Sequence, residues 1–464
     1  MKASLLAKLT LGIGGALLVL TVAPATTAYA SPGEYVPCSG GAAGLVAAIT
    51  KANAAGGTIN LAPGCTYALS APNNTNPNPM IGANGLPVIT SQITVNGFNT
   101  TISGNPSSAT PFRIFEVDGP GGNLTLQGLT VTGGSSSSIG GAIANNQGTV
   151  TLNHSRVTGN AAVGAGGGIA SGNLGKSTAL LGTLTLDSSQ VNGNTVTGGN
   201  PNFPNAGGGI IDKSGTVVLN NSQVKGNTAA GSAGGIANVG GALSLNFSQV
   251  NNNTSQGGGG GIARGNGNGG ATPPPPGTLN LFFSQVNNNT SNGGPTGGAG
   301  GIANGGTATI TLSQVNNNTA PGAPGGGILN HGTTTINLSQ VNGNSAPNDS
   351  ASPPDPGMGG GIANTDFGVP NSGILTVNWS QVSNNSASGP GGGIFEAGFG
   401  ANNMLVAGNT LALNFSLVTG NTAAGGGGGI YAVADSPVTL RFTLVFTNNP
   451  DNCEPVGTIS SCFH

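Results

Sequence analysis

The chain has 464 residues, 88 of them Gly and 29 Pro, with 5% charged residues and a formal net charge of −2. Setting Lys2 and Lys8 aside, the 10 basic residues fall to 8 against 12 acidic ones, too few and too acidic to hold nucleic acid or an anionic membrane by charge. Gly and Pro together make about a quarter of the chain, a low-complexity composition, yet a strong internal repeat points to an ordered fold.

In chain order, Lys2 and Lys8 give a positive start, residues 9–22 are mostly apolar, and Ala28-Tyr29-Ala30 is a small-x-small cleavage pattern. Residues 1–30 therefore read as a secretory signal peptide. The apolar run is short of the ~20 residues of a spanning helix, and no later segment is long and apolar enough. The expected product is a secreted, extracellular, soluble monomer with no membrane span.

Residues 31–132 read as an N-terminal cap with degenerate first coils. Residues 41–55 form one amphipathic helix, with Leu45, Ile49 and Ala52 on a shared face. Strand-like pieces follow at 58–61, 93–95, 113–117 and 124–126.

Residues 133–449 carry three landmarks in constant order. A Gly-[Gly/Ala]-Ile places Ile at 143, 169, 210, 236, 262, 302, 328, 362, 394 and 430. An alternating segment follows, such as Thr183-Leu184-Thr185-Leu186, with the period of a strand buried on one face. Then comes [Ser/Thr]-x-Val-x-x-Asn, from Val157/Asn160 to Val445/Asn448. The commonest Ile-to-Ile step is 26 residues, as from Ile210 to Ile236. Each landmark is too short to be stable alone; three short strands per coil, stacked at ~4.8 Å, satisfy one another's backbone. The expected fold is all-β, a right-handed parallel β-helix of about ten clear coils with a helical cap. The repeated Asn reads as a left-handed turn residue. So many Gly, and almost no helix-forming runs, argue against a helical solenoid.

The residue before the repeat Ser/Thr is Phe247, Phe283, Leu312, Leu338, Trp379, Phe415 and Phe442 in the later coils. This column reads as a packing ladder or as a sugar-binding platform. Residues 450–464 form a tail. Cys38, Cys65, Cys453 and Cys462 lie only at the two ends. Export favours disulfides, and 38–65 with 453–462 is the local one of three connectivities. A metal site is the alternative, with His154, His331 and His464 scattered along the chain.

The repeat, as in Gly140-Gly141-Ala142-Ile143 followed by Ser155-x-Val157-x-x-Asn160, resembles that of polymorphic outer-membrane proteins, with Val in place of their Phe. The chain is also similar to β-helix proteins of the pectate-lyase-like superfamily secreted by actinobacteria. The likeness covers 130–449 by motif and implies the fold. The outer-membrane family implies a C-terminal membrane barrel; the 34 residues after Ile430 leave no room for one, so autotransport is not expected. The pectate-lyase-like family implies acidic Ca²⁺ ligands and a basic proton abstractor.

Such chemistry needs converging charges, and few are present. Two residues after the repeat Ile, one column runs Asn145, Ser171, Asp212, Asn238, Arg264, Asn304, Asn330, Asn364, Glu396, Ala432. Asp212 and Arg264, two coils apart and so ~10 Å at one strand spacing per coil, could border a substrate groove with Glu396 as a further candidate; a polar turn column is the plainer reading. Asp349, Asp355 and Asp366 could hold calcium; otherwise no cofactor is expected. The Gly-rich strings do not follow a strand and open a helix, so phosphate binding is excluded.

Two functions stand. One is a non-catalytic scaffold that displays loops to an extracellular glycan or surface protein. The alternative is a polysaccharide lyase or glycoside hydrolase. A third, weaker reading takes Thr149, Thr183, Thr216, Thr278, Thr307 and Thr333 as one outward rank that orders water or a crystal surface. Insertions recur after the repeat Ile (171–182, 263–277, 363–373, 395–409) and after the repeat Asn (195–206, 290–299, 345–359), and loops at one repeat position emerge on one side. The loops 263–277 and 395–409 are expected to touch a partner.

Overall fold

The computed structural model describes residues 33–464 except 79, 176–180, 199–204, 266–276, 295–297, 350–355, 367–372, 400–404, 456–458, 461 and 463–464. One coil shows the build. Ile236–Val239 is followed by Ala242–Asn246, Gln249–Asn251 and Thr254–Ser255. Each piece pairs in parallel with its equivalent one coil on: Ile236 with Ile262, Leu243 with Leu279, Val250 with Val286, Thr254 with Thr290. Repetition gives a right-handed parallel β-helix with a 25-stranded sheet, a 12-stranded sheet, and six- and three-stranded sheets joined by bridges at Thr319. The coil thus has four strand pieces rather than three. The fourth is two residues long, below what alternation can reveal.

Strand period two decides what is inside. Ile236, Leu243, Leu245 and Val250 are fully buried, and their columns continue through the stack. Each such side chain contributes ~1.5–3 kcal/mol on burial. The Thr column lies on the opposite face of the second strand, in one register with Ala242 between Thr216 and Thr278.

The repeat Asn is not the left-handed residue. That role falls to its predecessor, Gly159, Gly193, Gly226, Asn252, Asn288, Asn317, Gly343, Asn384, Gly420 and Thr447 through the ten coils, with φ between 54° and 67°. The Asn itself turns inward and builds a ladder. Asn253 donates its backbone N–H (2.9 Å) and its Nδ2 (3.0 Å) to Oδ1 of Asn289, and a second Nδ2 hydrogen to the Val224 carbonyl at 3.1 Å. The same bonds run from Asn160 to Asn448. A buried amide costs free energy unless paired, and here each one is paired twice over. A parallel Ser ladder satisfies the corner before the third strand, where the Ser222 N–H donates to Ser248 Oγ at 3.0 Å.

The helix Gly41–Ala55 covers the N-terminal end and buries Leu45, Ala48, Ile49 and Ala52 against the first coils. It ends at Gly56, whose φ is 75°. Glu34–Val36 pairs with Gly57–Leu61, and Lys51 bridges to Glu34. The disulfides are Cys38–Cys65 and Cys453–Cys462, one at each end. At the far end Cys453–Glu454 extends the 12-stranded sheet from Ile430–Ala432, and Ile459 packs into the core. Among the described residues no helix is long and apolar enough to cross a membrane.

Candidate functional site

The column two residues after the repeat Ile faces inward, on the same side as the Ile itself. Asp212 and Glu396 are 0% exposed and Arg264 4%. The column is a hydrogen-bonded ladder rather than an open groove. Asn330 Nδ2 donates to Asn364 Oδ1 at 2.7 Å, and Asn364 Nδ2 to Glu396 Oε2 at 2.7 Å. Asn238 Nδ2 donates to Asp212 Oδ2 at 3.0 Å. Both acids sit where an Asn oxygen sits in other coils.

Asp212 and Arg264 are not brought together. The Asp212 carboxylate lies over Gly215 and Gly241, where any added methyl would overlap it. The Arg264 guanidinium lies farther along the stack, over Gly277 of its own coil and Gly306 of the next. Among the described residues its Nε and Nη1 have no hydrogen-bond partner. Burial pushes the Asp212 carboxyl up to about 8, against the pull of the Gly215 N–H. Burial likewise raises Glu396 to about 8, opposed by the Asn364 hydrogen bond and helped by the nearby Asp366. Desolvation holds Arg264 below its ordinary range. Both acids accept hydrogen bonds from the Asn side chain of an adjacent coil and so take part in the ladder.

The calcium candidates also separate. Asp349 follows the fourth strand piece Ser345–Ala346 and lies against Gly322. Asp366 follows the first piece Ile362–Asn364 and lies against Gly398, at a different corner. Asp355 is outside the described residues. No group of three or more His, Cys, Asp or Glu able to hold a metal occurs among the described residues. The 395–409 insertion contains an antiparallel pair, Gly398–Phe399 with Leu405–Val406; most of 263–277 is outside the described residues.

Sequence reasoning passed over one cluster. Arg113, fully buried, donates from Nη1 to Asn84 Oδ1 at 2.7 Å and from Nη2 to the Ile139 carbonyl at 3.0 Å. Glu116, also 0% exposed, accepts from Asn76 and Asn84, both at 2.5 Å. Burial lowers Arg113 to about 10 and raises Glu116. The cluster ties the hairpin Asn74–Thr75 and Ala83–Asn84 to the first coils, which is a structural use for buried charge. Its signal was the pair of charges inside an otherwise apolar strand pattern at 113–117. His331, paired with Thr365, is driven down to about 4 by burial.

What faces solvent is the corner between the second and third strands. The residue there has φ of 47–51° in every coil: His154, Ser188 and Asn221, then the apolar run Phe247, Phe283, Leu312, Leu338, Trp379, Phe415, Phe442. The seven apolar members are 37–83% exposed. Rings stack where they adjoin: Phe247 on Phe283 at 5.2 Å, Trp379 on Phe415 at 4.2 Å, Phe415 on Phe442 at 4.9 Å between centroids. Where the run begins, a hollow of about 190 Å³ lies beside Phe247. Comparison with protein-family models, curated proteins and solved structures finds no match to the chain.

Proposed function

We infer that the chain is an exported, non-catalytic scaffold that binds an extracellular glycan or surface protein. The exposed apolar corner carries the reading. A left-handed backbone costs a side-chain-bearing residue roughly 1–2 kcal/mol, and a stacked aromatic pair returns roughly 0.5–1.5 kcal/mol. Leu312 and Leu338 have no ring to stack. Stability alone therefore gains nothing clear from the column, while an unbroken apolar strip about 29 Å long, six steps of ~4.8 Å, is the kind of surface that marks an interaction site.

Three further observations support this. Asp212, Arg264 and Glu396 are buried, so the candidate acids and base lie away from the exposed corner. The leader-like residues 1–30 and the two disulfides suit an oxidising, extracellular setting. The insertions 263–277 and 395–409 supply loops, the usual place for contacts on a rigid frame.

The test is an array of polysaccharides and extracellular proteins, scored for both capture and cleavage. Wild type is expected to bind without releasing products. A triple variant, Phe247→Asn, Trp379→Asn and Phe415→Asn, should fold and lose binding; trimming the two loops decides how far they share in it. Released products, or undiminished binding by the folded triple variant, would overturn the reading.

A further inference from the structure

The corner column changes character at a single step. Ser188 and Asn221 present short side chains, and Phe247 begins the large ones. Phe283 covers one face of the Phe247 ring, with the planes within 5° of parallel. The other face looks toward the preceding coil, where Asn221 is too short to reach across it. The hollow of about 190 Å³ is that gap. Phe247, Ser188, Asn221 and the amides of Gln190, Gln223 and Gln249 are among the groups that line it.

Its chemistry is selective. No residue that lines it is charged. A cation would lack a carboxylate, and an anion would meet the negative face of an aromatic ring without Arg or Lys to hold it. A purely apolar side chain would strand the amides and hydroxyls. The lining asks for a ligand with one apolar face and a rim of groups that both donate and accept. A sugar ring in its chair form has that shape: a patch of C–H bonds on one face and hydroxyls around the edge. The volume is below the ~300 Å³ at which pockets for drug-sized ligands begin, room for one ring rather than several. The amides are also held beforehand. Gln223 Nε2 donates to Gln249 Oε1 at 3.2 Å, and Asn251 and Asn192 donate to Gln249 and Gln190 at 3.2 Å each. Preorganised groups cost less to order on binding.

We propose that this hollow is a subsite for one uncharged pyranose ring of an extracellular glycan, stacked on the open face of Phe247 and hydrogen-bonded by Gln190, Gln223 and Gln249. The assignment rests on the scaffold reading above and names its ligand.

Two exposed substitutions test it with little risk to the fold, because neighbouring coils already carry the replacement residue types at the same corner. Phe247→Ser copies Ser188 and removes the ring. Asn221→Phe copies Phe247 and fills the hollow. Phe98→Ser removes an exposed ring in the first coils, outside the apolar strip. Full-length protein is titrated with maltotriose, cellotriose, mannotriose and chitotriose, with trigalacturonate as the charged comparison, by saturation-transfer NMR and calorimetry. At least one neutral trisaccharide is expected to bind, trigalacturonate is not, and Phe247→Ser and Asn221→Phe should each weaken binding tenfold or more while Phe98→Ser changes it less than twofold. Failure of all four neutral sugars, or binding unchanged in both hollow variants, overturns the subsite. Loss in Phe98→Ser alone also overturns it, yet leaves the scaffold standing, which the wider array tests separately.

Discussion

Two left-handed corners recur in every coil, one just before the repeat Asn and one between the second and third strands. The backbone is much the same at both corners, with φ of 54–67° at the first and 47–51° at the second. The first corner is filled as intrinsic preference dictates, by Gly or Asn in nine of ten coils. The second follows that preference only at Asn221, and from Phe247 onward it carries Phe, Leu or Trp instead. Asn252 and Asn288 at the first corner are exposed, as are Phe247 and Phe283 at the second. Solvent access therefore does not explain the contrast. A bulky residue at positive φ is an outlier that persists only where something holds or uses it. Cross-coil stacking holds the rings in place, and binding is the use proposed above.

The contrast can be broken outright by destroying the frame under both corners. Val250 is fully buried, one strand piece from each. Val250→Asp buries an unpaired charge, costs several kcal/mol, and is expected to abolish the cooperative melt; an unchanged melting temperature would mean the register is wrong. Asn289→Leu attacks the ladder behind the first corner. It strands the backbone N–H and Nδ2 of Asn253, two buried donors at ~1–3 kcal/mol each. Chemical denaturation should therefore show a loss of roughly 2–6 kcal/mol.

Exchanging the corners sharpens the comparison. Asn288→Phe puts a ring at the first corner with no aromatic neighbour in that column and should cost roughly 1–2 kcal/mol. Phe283→Asn at the second corner relieves strain as it removes stacking, and stability should move by less than about 1 kcal/mol. Equal losses from the two would refute the claim that strain and stacking offset each other.

The inner column also sets a pH dependence. Asp212 and Glu396 have folded values near 8, above their ordinary values of 3.8 and 4.5. The folded state therefore holds their protons where the unfolded chain has released them, and stability falls as pH rises toward 8. His331 acts oppositely: its folded value is near 4 against 6.5, so it adds stability as pH climbs from 4 to 6.5. Between pH 6.5 and 8 His331 no longer contributes, and the melting temperature should drop across that window. Asp212→Asn with Glu396→Gln should flatten the slope; an unaltered slope in that double variant would show that the two acids titrate normally.

Much of this was legible in the sequence because a solenoid repeats its instructions. The Ile and Val columns, the 41–55 helix and the end-placed cysteines follow from period, apolar spacing and export. The inner column was found by spacing and read as a groove border or a polar turn; strand parity puts the residue two after an inward Ile on the inward side. The Asn was misassigned because Asn serves left-handed turns and buried ladders equally well. The clue was the residue before it, which is Gly or Asn in coil after coil, as at Gly226, Asn252 and Asn288. Strain at the second corner had no sequence signal, since Phe and Trp there match ordinary strand residues; only the dihedral angles expose it.

The Asn ladder has a further consequence. Asn227 and Asn253 are 26 residues apart, Asn253 and Asn289 are 36, and Asn344 and Asn385 are 41, yet the amide-to-amide distance is 2.9, 3.0 and 2.9 Å. The spine does not register how much chain leaves the coil between two rungs. Selection can thus lengthen, shorten or replace an excursion, or duplicate a whole coil, without retuning the interior. A lineage carrying this architecture is free to vary its outer surface quickly while its inner order stays fixed.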